Sequence, residues 1–211
     1  MKRADLKRKR SIKKQRDFFN DIMNSICKSE RKKSNARLRK GLYKKFFEEF
    51  AVLLEYVEIK YSNQDNISFK WVGEDKQNQT INYDGEIYQR GKLIEKVEIT
   101  CPLISNKDKI IAKQLNKSGY SEVEIFDPFE KLNENKEKLE LKINAKNSKN
   151  TYDGTVTLVA YNNDLLHYIN GEEFNQKYEK DLLDGLKSID YQFKNVYILE
   201  NLDEKRLIRI K

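Results

Sequence analysis

The sequence predicts a mixed α/β fold, a central sheet flanked by helices, with a basic helical extension at the N-terminal side. Two observations carry this. Helical and strand periodicities follow one another in the order helix, three consecutive strands, helix, strand, helix, strand, an order that builds a mixed sheet. Charge is divided unevenly: residues 1–45 hold 18 Lys and Arg against four acids, a net of +14, whereas the other 166 residues net −6. The overall balance of +8 therefore belongs to the first segment.

Residues 1–16 carry nine Lys and Arg and no apolar stripe, and read as frayed or disordered. From Asp17 an amphipathic helix begins, with Phe18, Phe19, Ile22, Met23 and Ile26 at helical spacing. Residues 29–35 interrupt it, and Ser34 or Asn35 stands as N-cap for a second helix over about 36–60. Leu38, Leu42, Phe46, Phe50, Leu53 and Val57 make one stripe of that helix, widened by Phe47 and Leu54. The expected division is a basic helical extension, 1–35, and an α/β domain, 36–211.

The strands follow. Residues 67–72 alternate and end at Gly73; 81–87 and 93–102 alternate again and, joined by 88–92, read as a β-hairpin. A helix at 107–118 closes at Gly119. A polar, mostly helical stretch spans 127–150, and 154–161, the most apolar strand, is expected at the centre of the sheet. A helix at 172–188, with Phe174, Tyr178, Leu182, Leu183 and Leu186 on one side, leads to strands at 196–199 and 207–210. Strand, helix, strand implies a right-handed crossover and a parallel pair.

Composition excludes several classes. No apolar run approaches 18 residues, so no transmembrane helix is expected, and the basic N-terminal segment lacks the apolar stretch of a secretory signal. Cys27 and Cys101 have no metal-type spacing and fit a reduced, cytoplasmic protein. His167 is the single histidine, which argues against a zinc centre or a Ser-His-Asp triad and suggests a structural role for the ring. Asp84-Gly85 and Asp153-Gly154 are turn dipeptides without the Gly-rich Lys motif of a phosphate loop. The 12 tyrosines and Trp71 serve either base stacking or the core.

Chemistry concentrates in the hairpin. Alternation sends Lys96, Glu98 and Thr100 to one face of its second strand and Val97 and Ile99 to the other. A carboxylate centred in a strand fit for burial is costly unless it is paired or holds a cation. Asp84, near the end of the preceding strand, is the natural second ligand. Two carboxylates on adjacent strands suit Mg²⁺, which takes one or two protein carboxylates with waters and substrate phosphate.

This pattern resembles the Asp…Glu-x-Lys core of the restriction-endonuclease-like (PD-(D/E)xK) nuclease superfamily. Asp84 stands at the Asp position and Glu98 at the Glu position; Thr100 occupies the Lys position, and no Pro precedes Asp84. The resemblance covers roughly residues 40–162. It implies a restriction-endonuclease-like sheet and a nuclease hydrolysing phosphodiester bonds with Mg²⁺ (or Mn²⁺) bound by Asp84 and Glu98. It also implies a third acid from the helix before the strands. Glu49, on the flank of the apolar stripe, is the better candidate than Glu48 or Glu55, with a plain surface charge as the alternative. Thr100 can orient water by hydrogen bonding, and the missing positive charge falls to a lysine from elsewhere. Lys96, on the face of Glu98, and Lys109 or Lys113, on the following helix, are the candidates; solvated lysines are the alternative. The competing functional readings are a catalytically inactive protein of this fold that binds nucleic acid or a protein partner, and an α/β interaction module with an acidic patch.

Lys7, Arg8, Lys9, Arg10, Lys13, Lys14 and Arg16 are the candidates for phosphate contact, which gains affinity by counterion release. A solvated lysine-rich tail is the alternative. The expected partner is nucleic acid, with DNA favoured and no membrane; a homodimer is left open.

Overall fold

The computed structural model describes residues 1–73, 82–101, 106–121, 127–149, 152, 154–162, 172–201 and 205–211. It is α/β. The elements are α1 (Arg3–Leu6), β1 (Arg10–Ser11), α2 (Ile12–Cys27), α3 (Glu30–Arg37), α4 (Leu42–Lys45), α5 (Ala51–Lys60), β2 (Ile67–Trp71), β3 (Gly85–Gln89), β4 (Lys92–Thr100), α6 (Asn106–Ser118), α7 (Pro128–Asn147), β5 (Val156–Asn162), α8 (Glu172–Lys187), β6 (Asn195–Asn201) and β7 (Lys205–Arg209). Strand order in the mixed seven-stranded sheet follows the chain, β1 to β7. β1, β2 and β3 run antiparallel, β4, β5 and β6 parallel, and β7 returns antiparallel to β6. The strand–helix–strand expectation of a parallel pair holds for β5 and β6. No described helix is long and apolar enough to cross a membrane.

The chain forms two compact units. The first comprises Met1–Gly73, Gly85–Ile94 and Leu103–Ile125; the second comprises Glu74–Asp84, Glu95–Pro102 and Phe126–Lys211.

In the first unit the expectation of a frayed residue 1–16 segment is overturned. Leu6 is fully buried, and β1 adds to β2 with Arg10 opposite Phe69. Gln15 is also fully buried; its amide donates to the Phe69 carbonyl at 2.9 Å and its carbonyl accepts from Arg10 at 3.1 Å. A buried amide is tolerable only when so satisfied. Arg16 forms a two-pronged ion pair with Glu58, and α2 lays Phe18 edge-on to Phe50, centroids 5.7 Å apart, and Phe19 against Phe46 at 5.3 Å. Such ring pairs add about 0.5–1.5 kcal/mol each beyond burial.

The expected helix at 36–60 divides. Ser29, not Ser34 or Asn35, caps α3, accepting from Lys32 N, and helical geometry breaks where Arg39 and Gly41 take φ of 49° and 56°. Helix resumes at Leu42 and passes through a π-helical turn, Phe46–Phe50, into α5. Phe46, Phe50, Leu53, Leu54 and Val57 are buried as the stripe requires.

The hairpin is tighter than expected. β3 ends at Gln89 and β4 begins at Lys92, and the two connecting residues, Arg90 and Gly91, have φ of 49° and 82°. Positive φ at both central positions defines a type I′ turn, whose twist matches that of the strands.

The second unit has a continuous core. Leu139 and Ile143 of α7 and Tyr178, Leu182 and Leu186 of α8 pack with Leu158, Ala160, Val196 and Ile198 of the strands. β5 is buried on both faces, Thr157 and Val159 included, which fits its being the most apolar of the strands in sequence. His167, Ile81, Pro102, Asp153 and the Phe174 side chain lie outside the described residues.

Candidate functional site

Both hairpin carboxylates lie along the C-terminal half of β4, within the second unit, Glu98 in the strand itself and Asp84 opposite Val97. In the parallel register Lys96, Glu98 and Thr100 stand opposite Val156, Leu158 and Ala160. Glu98 is 4% exposed, Thr100 3% and Asp84 7%. Asp84 is bound to the strand twice: its N–H donates to the Val97 carbonyl at 2.8 Å, and its Oδ2 accepts from Ile99 N at 2.9 Å. These bonds bracket Glu98 in the chain. The Asp84 carboxylate thus takes the place of a backbone acceptor at the strand end and lies against the segment that carries Glu98.

The cation that faces Glu98 is none of those expected from the sequence. Lys146, in the last turn of α7, donates to Glu98 Oε1 in a short ion pair, its side chain 25% exposed against 5% for the acid. Burial pushes the Glu98 carboxyl up from its ordinary range, opposed by the charges of Lys146 and Lys149 and by hydrogen bonds from Lys146 and the buried Tyr152 hydroxyl. Desolvation outweighs these partners. The sequence held a signal: Leu139, Ile143 and Lys146 fall at helical spacing, so the lysine extends the buried stripe of α7.

The other candidates separate. Lys96 lies over the Tyr83 ring at 5.2 Å. Glu95, which alternation did not single out, accepts from Thr157 at 2.6 Å. Glu49 belongs to the first unit, where it accepts from Lys45 at 2.5 Å and from the Trp71 indole at 2.9 Å. Lys109 and Lys113 are exposed on α6, also in the first unit. Among the described residues no three His, Cys, Asp or Glu side chains converge. Asp84 and Glu98 each offer hard carboxylate oxygens, the ligand type that Mg²⁺ and Mn²⁺ accept.

A second concentration of charge lies in the first unit, in a cleft of about 620 Å³. Arg8, Lys9, Arg10 and Lys14 line it together with Asp17 and Asp21; Phe18, Ser11 and Ser68 complete the wall. Arg10 is fixed by Nη1, which donates to the Asp5 carbonyl at 2.8 Å and to Gln15, and its guanidinium lies over the Phe18 ring at 4.4 Å. Arg8, Lys9, Lys13 and Lys14 are exposed, Lys7 half-buried, and Arg16 is committed to Glu58.

No protein-family model, curated protein or solved structure matches this chain.

Proposed function

We propose that the chain is a metal-dependent nuclease that cleaves phosphodiester bonds of nucleic acid, DNA in preference to RNA, in the cytoplasm, with a restriction-endonuclease-like core. The observation that carries the proposal is a carboxylate almost wholly removed from water, Glu98, in the strand that binds Asp84 and ion-paired to Lys146. Burying that acid is costly, and we read Asp84, Glu98 and Lys146 as counterparts of the Asp, Glu and Lys of the resembling family, with the lysine brought from α7 instead of position 100. The element order α5, β2, β3, β4, followed after two helices by β5 parallel to β4, supports the same reading.

Asp84 and Glu98 would hold Mg²⁺ or Mn²⁺, which when bound acidifies a water and neutralises charge on the scissile phosphate. The Ile99 N–H fixes one oxygen of the Asp84 carboxylate and so positions the group against the strand. The charge of Lys146 opposes the upward push of burial on the Glu98 carboxyl and would supply positive charge where the phosphoryl oxygens gain negative charge. The Thr100 hydroxyl, two residues on and on the same face, can orient water by hydrogen bonding.

The test uses supercoiled plasmid, linear duplex, single-stranded DNA and RNA with Mg²⁺ or Mn²⁺, together with thermal melts with and without metal. Wild type cuts and melts higher with metal; Glu98→Gln does neither while remaining folded. A wild-type protein that neither cuts nor gains stability from metal leaves the inactive, nucleic-acid- or protein-binding alternative.

A further inference from the structure

The cleft in the first unit combines features that a duplex backbone does not satisfy. Its cations, Arg8, Lys9 and Lys14, are exposed, and none of the three has a carboxylate partner among the described residues. Arg10 is different: one edge of its guanidinium is locked to the Asp5 carbonyl and Gln15, and the group is stacked on Phe18. A guanidinium fixed in this way is preorganised and loses little freedom on meeting a phosphate or the face of a base. Two carboxylates share the same wall, Asp17 and Asp21, four residues apart on α2. On the outside of a duplex these acids would meet only phosphates and be repelled. A single strand turns base edges outward, and an aspartate accepts hydrogen bonds from exocyclic amino groups.

We propose that this cleft is a binding site for single-stranded nucleic acid, in which Lys9, Lys14 and Arg8 contact phosphates, the Arg10–Phe18 stack supports a base, and Asp17 and Asp21 accept from base amino groups. It deepens the nuclease reading by naming the form in which substrate is held, and it rests on that reading only for its biological purpose. The binding surface is a folded cleft and not a flexible arm, since β1 and α2 place its residues.

The experiment is fluorescence anisotropy with the full chain in EDTA, so that binding is read without cleavage. The probes are a short fluorescein-labelled strand of mixed deoxyadenosine and deoxycytidine, an oligothymidine of equal length, and the blunt duplex of the first. The single strand binds more tightly than its duplex at equal salt, and the amino-bearing strand more tightly than oligothymidine, which has no exocyclic amino group. Lys9→Ala and Lys14→Ala each weaken binding and flatten the log–log salt slope by about 0.7 per lost contact; Lys187→Ala, an equal charge change on exposed α8 surface, does not. Asp17→Asn/Asp21→Asn erases the preference for amino-bearing bases and leaves the salt slope as it was. Duplex binding as tight as single-strand binding, wild-type affinity in both lysine variants, or a base preference that survives the double Asn change would each overturn the proposal. Because no metal is present, a failed cleavage assay on wild type leaves this result untouched, and the two readings fall separately.

Discussion

Lys146→Met is the most informative single change. It removes the ammonium and keeps most of the apolar stem that runs along α7, so its effect isolates the charge. Glu98, 4% exposed, is then a buried carboxylate without its principal cation. Breaking a buried pair from one side costs about 3–5 kcal/mol; Lys149 and the Tyr152 hydroxyl still act on Glu98, which places the expectation at the lower end, about 3 kcal/mol. For a chain of this size that is a fall of about 6–12 °C in Tm. Glu98→Gln removes the charge that needed a partner, and Lys146, a quarter exposed, can turn to water, so its cost is about 1 kcal/mol or less. The double variant should resemble Glu98→Gln, giving a coupling energy of about 2–3 kcal/mol.

The pH dependence supplies the sign. The folded protein holds the Glu98 carboxyl above its ordinary value of 4.5, so it binds that proton more tightly than the unfolded chain does. The contribution is complete below the ordinary carboxylate range and is lost as pH rises through the raised value. Lys146→Met exaggerates the loss, because the pull of the lysine is gone; its deficit is largest near about pH 8 and shrinks toward about pH 5. Urea titrations of the four proteins across this range measure both quantities. A Lys146→Met variant as stable as wild type at high pH, or a deficit that does not shrink on acidification, refutes the buried pair.

Two further outcomes are expected. Lys146→Ala lowers Mg²⁺-dependent cleavage by about 10²-fold or more, and Thr100→Lys on that background restores part of it by returning a positive charge to the face of Glu98; no rescue in single-turnover assays would separate Lys146 from catalysis. Leu6→Ala, a truncation at a fully buried site, destabilises by about 2–5 kcal/mol in circular-dichroism melts, whereas an unaffected melt would return residues 1–16 to the status of a tail.

The elements with strong periodicity were legible. The stripe from Phe46 to Val57 and the apolar run of β5 are buried as their spacing demands, because removing apolar surface from water is the largest force favouring the folded chain and its period is written locally. The helix break near Gly41 was not, since α3 has almost no apolar stripe and is set by the Ser29 cap and a change of φ. Within the candidate site, Glu98 could be named from alternation and Asp84 from its place near the end of the preceding strand. The Glu98–Lys146 contact joins residues 48 apart, and only the packing of α7 on the sheet decides it. The hairpin register depended on whether residues 88–92 formed a loop or a two-residue turn. Once Arg90 and Gly91 are the turn, Asp84 falls at Val97, and its carboxylate reaches Ile99 N.

The basic segment shows why a charge count is a poor guide to binding. Its placement rests on one leucine, one glutamine and a two-residue strand, Leu6, Gln15 and β1, too little for periodicity to register. Of the seven cations in the sequence that compete for phosphate, Arg10 and Arg16 are engaged by Gln15 and Glu58. Lys7 is half-buried, and Arg8, Lys9, Lys13 and Lys14 remain exposed. Counterion release follows the phosphates actually neutralised, so the salt dependence of binding should point to about four phosphates or fewer. A slope demanding seven would mean that Arg16 leaves Glu58 on binding, and hence that the N-terminal fold opens to admit nucleic acid.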